Sequence, residues 1–122
     1  MLLFKKKFLA AIRSGEKTQT VRLWEHCRMR AGQRSYIPGV GYIQVSAVDV
    51  VTLESLNDYD AQLDGFPTAD ALRGELAVLY ADQLAAGHQV YRVRFAVLGA
   101  EEQLAATAER RTRKGQSPKR QS

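Results

Sequence analysis

Cysteine occurs once in the 122 residues, at Cys27, so no internal disulfide can form and no cysteine cluster is available for a metal. Histidine occurs twice, at His26 and His88, and nothing spaces the two with carboxylates as metal ligands. No apolar run reaches the roughly 18–20 residues that span a bilayer. Met1-Leu2-Leu3-Phe4 precedes Lys5-Lys6-Lys7, the reverse of the charge-then-apolar order of a secretory signal. A soluble, cytoplasmic protein is the expectation. The sequence holds no GxGxxG and no GxxxxGK[ST], so no dinucleotide or nucleoside-triphosphate loop is indicated, and no GxSxG elbow. No cofactor and no metal are implied. Cys27 beside His26 reads as a small packed residue rather than a thiolate pair, because neighbours in an extended chain point to opposite faces.

Acid is missing from the end of the chain. Residues 110–122 hold Arg110, Arg111, Arg113, Lys114, Lys119 and Arg120 and no carboxylate. Residues 1–109 hold 12 basic and 13 acidic side chains, so the net charge of +5 resides in the tail and the body is near neutral. The length suits one domain, and 45% apolar residues suffice for one core. We assign a single domain to 1–109 and a basic, disordered tail to 110–122.

In chain order, Phe4, Phe8, Leu9 and Ile12 form an apolar stripe at helical spacing, which predicts a short helix over 3–14 closed by Gly15. Lys5, Lys6, Lys7 and Arg13 fall mostly off the stripe, as a solvated face or a phosphate-facing edge. Residues 17–23 read as extended, 24–30 as a loop, 31–34 as a turn, and Ser35-Tyr36-Ile37 as a short strand stopped by Pro38. Tyr42 to Leu53 is the longest β signal, and its length predicts a bulge near Ser46-Ala47. Residues 54–64 are polar and acidic and read as a loop with one helical turn at most. Thr68 is the expected N-cap of a helix over 69–81, marked by Leu72, Leu76, Leu79 and Tyr80. Tyr91, Val93, Phe95 and Val97 alternate with Arg92, Arg94 and Ala96 as a half-buried strand. A weak helix around Leu104 follows. Short turns between successive strands favour an α+β fold, a small mixed or antiparallel barrel, over a doubly wound sheet.

The chemically distinctive stretch is Gly15-Glu16-Lys17-Thr18-Gln19-Thr20-Val21-Arg22. A lysine supplies a fixed charge, or a base where burial lowers its pKa. A threonine hydroxyl becomes a nucleophile only beside a base. The bland alternative is a strand filled by threonines and flanked by surface charges. In a regular strand Thr18, Thr20 and Arg22 share one face and Lys17 the other. Lys17 and Thr20 therefore converge only if the chain bends after Gly15, which a glycine permits.

The run Phe8-Leu9-Ala10-Ala11-Ile12-Arg13-Ser14-Gly15-Glu16-Lys17-Thr18-Gln19-Thr20-Val21-Arg22 resembles the opening of ASCH domains, with their apolar helix followed by G-x-K-T-x-T-x-R. Gly32-Gln33, Val51-Thr52-Leu53, Asp64-Gly65-Phe66 and Tyr91-Arg92-Val93-Arg94-Phe95 follow in the order of that family, over about residues 3–98. The resemblance implies a PUA-like β-barrel with two to three packed helices and a cleft suited to RNA or modified nucleosides. Short single-domain members include an amidohydrolase that deacetylates N4-acetylcytidine. Its lysine, second threonine and glutamate fall on Lys17, Thr20 and Asp64, the last about 1.5 Å shorter in reach than glutamate, one carbon–carbon bond.

Two functions and one alternative follow. As an RNA- or nucleoside-binding module, Lys17 and Arg22 would meet phosphates or base edges, Thr18 and Thr20 would hydrogen-bond, and Trp24, Tyr36 or Phe66 would stack a base. The tail would add non-specific, salt-sensitive affinity. As a hydrolase, Thr20 would attack the amide, Lys17 would move the proton, and Asp64, or in its place Glu54, Asp58 or Asp60, would orient Lys17. A protein-partner module without a nucleic-acid ligand is the third reading, because the body is near neutral.

Overall fold

The alternating strand over 91–97 becomes the spine of the molecule. In the computed structural model, which describes residues 1–116 and side chains through 112, it is a central strand with a neighbour on each side. The elements are α1 (Leu9–Ser14), β1 (Gln19–Trp24), β2 (Arg34–Ile37), β3 (Gly41–Val51), α2 (Asp58–Leu63), α3 (Ala69–Leu79), α4 (Ala81–Ala85), β4 (Gln89–Val97) and α5 (Ala100–Gln116). Single 3-10 turns, Lys6–Phe8 and Leu53–Ser55, lead into α1 and follow β3. The sheet order is β1-β4-β3-β2, and every pairing is antiparallel. The sheet forms a four-stranded half-barrel, the antiparallel form of the expected α+β architecture.

Residue alternation gives the sheet two apolar faces. Ile12 packs with Ile37, Ile43, Val45, Val93 and Phe95 in one cluster. Val21 and Leu23 pack with Leu56, Ala61, Leu72, Leu76 and Val90 in the other, under α2 and α3. The expected bulge is present as a register shift between Val45 and Ala47 opposite β4. It lets eleven residues of β3 curve without losing either face.

The N-terminal helix is shorter than its apolar stripe. Phe4 precedes the first helical residue, because Lys5 is extended at ψ 144°, yet Phe4, Phe8 and Leu9 still pack against the core. Gly15 ends α1 in the left-handed region at φ 86°. The acidic segment 54–64 forms α2, an element that its polarity concealed. Asn57 Oδ1 accepts from Asp60 N at 2.9 Å while Asp60 Oδ2 accepts from Asn57 N at 3.3 Å, a reciprocal capping box. Thr68 caps α3 as expected, its hydroxyl accepting from Ala71 N at 3.2 Å.

α5 runs on to Gln116, past Arg111 where the charge pattern predicts disorder. The end of the predicted tail, 117–122, lies outside the described residues. Cys27 is exposed rather than packed. No described helix is long and apolar enough to cross a membrane.

Candidate functional site

β1 is an edge strand, so the chain entering it can turn a side chain around the rim of the sheet. The left-handed Gly15 provides the bend, and β1 does not begin until Gln19, which leaves Lys17 outside the strand alternation. Backbone bonds hold Lys17 there: Lys17 N donates to Ala11 O at 3.0 Å and Thr18 N to Leu63 O at 3.0 Å. The side chain then passes the C-terminal end of α2. Gly65, beside the Lys17 stem, takes φ 93°, the left-handed region that favours glycine.

Lys17 is 2% exposed, and its ammonium donates to Gln19 O at 3.0 Å, to Asp64 Oδ1 at 2.9 Å and to Asp64 O. Three acceptors match three N–H bonds. Phe8 and Phe4 lie 4.8 and 5.6 Å from the nitrogen to the ring centroid. Burial lowers the Lys17 pKa against the opposing pull of Asp64, and Arg22 lowers it further. Burial raises that of Asp64, opposed chiefly by Lys17. Both directions say that desolvation outweighs mutual attraction at this pair. Asp64, at the end of α2, is within direct reach of Lys17 despite its short side chain.

The pair extends inward. Gln19 Nε2 donates to Asp60 O at 3.1 Å and to Asp64 Oδ2 at 3.4 Å. Asp60, 4% exposed, accepts from Arg92 at 3.2 Å and lies 3.6 Å from Arg94 Nη2. Glu54 is exposed, and Asp58 instead accepts from Ala69 N at 2.8 Å at the start of α3. Asp64 is therefore the carboxylate of the Lys17 site, and Asp60 its second layer.

Lys17, Thr20, Arg22, Asp64 and Phe66 line one cavity of about 110 Å³, together with Phe4, Phe8, Leu76 and Tyr80. Its floor is buried, with Thr20 at 5% and Asp64 at 4% exposure, whereas Leu3 and Leu79 at the mouth are 63% and 51% exposed. Arg22 Nε donates to Thr20 Oγ1 at 3.0 Å and Nη2 to Leu3 O at 2.6 Å, and the guanidinium lies 4.8 Å from the Phe4 ring. Phe66 packs on Phe8 at 5.7 Å.

Three expected ligand-binding residues lie elsewhere, Tyr36 among them, packed edge to face on Tyr42. Thr18 lines a different pocket, behind α1, with Arg13 and Gly15. Trp24 packs on Tyr91 at 5.4 Å and against the core. Both share the face of Thr20 in the strand pattern, but only Thr20 and Arg22 reach the cavity. Gln19, Phe4, Phe8 and Tyr80 join the site without having been expected, while Asp60, an alternative to Asp64 in the acidic segment, supports it through Gln19. Asn57 and Asp60, three apart, carried the one readable signal, the capping box that builds α2.

Solved structures share this fold. Protein EF3133 from Enterococcus faecalis V583, of the family DUF984, matches with a TM-score of 0.61 at 21% identity, over 75% of this chain and 70% of that one. A hypothetical protein, PH0355, matches with a TM-score of 0.67 at 14% identity, over 79% and 95%. An ASCH domain from Lactobacillus crispatus JV V101 matches with a TM-score of 0.63 at 13% identity, over 73% and 69%. The chain thus has the ASCH-like fold that its Gly15–Arg22 run implied. In sequence, no family model and no curated protein matches it.

Proposed function

We propose that the protein binds a nucleoside- or nucleotide-like ligand, with one base in the cavity above Lys17, Thr20 and Asp64. The observation that carries this reading is the convergence of Thr20, Arg22 and Asp64 inside aromatic walls. Size supports it: an apolar cavity of about 150 Å³ accepts a benzene-sized ring, so about 110 Å³ with an open mouth suits one ring and not a run of strand. Polar capacity supports it too. Thr20 Oγ1 accepts from Arg22, which leaves its own O–H to donate. Asp64 Oδ2 holds only the long bond from Gln19 at 3.4 Å and can accept another. A donor and an acceptor lining one cavity suit the carbonyl-and-amino edge of a pyrimidine. Arg22 supplies positive charge toward the mouth for a phosphate.

Calorimetric titration with cytidine and its monophosphate tests the reading. Binding by the wild type and weakening of about tenfold or more in Arg22→Gln is expected. Equal affinity in the two proteins, or none in either, overturns it.

A second reading, hydrolysis of an N4-acylated cytidine, draws on one further observation. Burial moves the Lys17 pKa in the direction a base requires, in the same cavity as Thr20. Thr20 would attack the acyl carbonyl as Lys17 takes the hydroxyl proton and passes it to the leaving N4 amine, water would then hydrolyse the acyl ester on Thr20 to acetate and restore the hydroxyl, and Arg22 would face the oxyanion. Release of acetate from N4-acetylcytidine, abolished by Thr20→Ala and by Lys17→Ala, is the expected result. Tight binding without turnover leaves the binding function and removes this one.

A further inference from the structure

A second concave surface lies at the opposite edge of the sheet, where α5 docks on the β2–β3 hairpin. One glutamine fixes the docking. Gln103 Oε1 accepts from Tyr42 N at 2.9 Å, while its Nε2 donates to Tyr42 O at 2.8 Å and to Leu98 O at 3.1 Å. The contact is close: a Cβ at Gly41, whose φ of 119° itself favours glycine, would stand 2.9 Å from Gln103 Oε1. Ala106, 4% exposed, and an Arg34–Glu102 pair at 3.7 Å complete the seat.

This docking carries Arg110 and Arg111 to a tyrosine pair. Met1, Tyr36, Tyr42, Thr107, Arg110 and Arg111 line one groove of about 480 Å³. The two rings pack edge to face at 5.1 Å, and both residues are half-buried. Both arginines are exposed, and among the described residues neither forms an ion pair. From Arg110 to the end of the sequence there are six basic residues and no acid. None of the six residues of this groove lines the nucleoside cavity.

We infer that this groove binds single-stranded nucleic acid, with an unpaired base against Tyr36 and Tyr42 and the flanking phosphates on Arg110 and Arg111. Adjacent aromatic and guanidinium groups serve both halves of a nucleotide. An acidic peptide would use the arginines and leave the rings idle. A duplex keeps its bases stacked on one another and offers them no free face. The surface does not depend on the cavity reading and stands if that fails.

Fluorescence anisotropy of the full chain with labelled oligouridine, and with a duplex of equal length, tests the inference. Arg110→Gln with Arg111→Gln is expected to weaken single-strand binding about tenfold. The slope of log affinity against log salt falls by about 1.4, the value for two phosphate contacts on a single strand. Tyr36→Leu weakens the single strand about tenfold and leaves both the slope and duplex binding unchanged. Tyr36→Trp, which keeps a stacking face, binds like the wild type, so a loss in Tyr36→Leu with recovery in Tyr36→Trp is not misfolding. Single-strand affinity that ignores Tyr36→Leu reduces the surface to a charged tail and overturns the proposal. Equal competition by polyglutamate overturns it as well, in favour of an acidic protein partner.

Discussion

Lys17–Asp64 and Lys5–Glu75 are the same ion pair chemistry at two depths of one cavity. The first measures 2.9 Å with side chains 2% and 6% exposed, and the second 3.2 Å with 53% and 34%. Distance barely separates them, whereas solvent does. At the mouth, water screens both charges and each side chain gives up rotamer freedom to hold one geometry. On the floor, each charge has lost its hydration and meets fixed protein groups instead, acceptors around the Lys17 ammonium and donors from Lys17 and Gln19 at the Asp64 carboxylate, and burial dominates both pKa directions there. The floor pair is thus a poised, costly arrangement, and the mouth pair a surface contact.

Removing one partner of the floor pair has the largest expected effect. Lys17→Met strands Asp64 in a buried site and should cost about 3–5 kcal/mol at neutral pH, read by urea unfolding. The cost should shrink on acidification, because the stranded carboxyl takes up a proton. A cost below about 1 kcal/mol would place Lys17 with the surface lysines. Next, Arg22→Gln removes charged bonds to Thr20 and Leu3 and should lower ligand affinity by about 1.5–3 kcal/mol, measured by calorimetry.

A pH series on Asp64→Asn isolates the carboxyl. The folded Asp64 pKa is raised, so the folded chain holds that proton more tightly than the unfolded chain, whose value is about 3.9. The resulting stability is full below the unfolded value and is lost as pH rises through the folded one. Wild type should therefore lose stability relative to Asp64→Asn as pH rises from about 4 toward neutrality. A difference that grows in the opposite direction would mean that Lys17 outweighs burial. The smallest effect belongs to the mouth: Lys5→Met should change unfolding free energy by less than about 1 kcal/mol, and still less at high salt.

The two grooves differ in the same way in how far they could be read. The cavity hangs on one contiguous run, Gly15 to Arg22, whose lysine, threonines and arginine stand out from any strand pattern. The tyrosine–arginine groove draws on Tyr36, Tyr42, Arg110 and Arg111, and its charges looked like the start of a disordered tail. Nothing local to Arg110 says that Gln103, about two turns earlier, bonds the backbone of Tyr42. Within the cavity, Asp64 could be placed only through the family resemblance, because the acidic segment looked like a loop. Thr18 was assigned to the ligand for its hydroxyl and Trp24 for its ring, but Trp24 goes to Tyr91 and the core, and Thr18 to the far side of α1.

Short-range pattern was enough for the strands, the β3 bulge, the Thr68 cap and the bend at Gly15. Each depends on φ/ψ preference, side-chain period or a hydrogen bond between near neighbours, which act before any long-range contact exists. The chemistry of the floor is different. Lys17 and Asp64 are 47 residues apart, and only the packing of α2 beside the entry to β1 brings them within hydrogen-bond range. The same packing excludes the water that would make that pair ordinary, so burial, and not residue type, decides what Lys17 is.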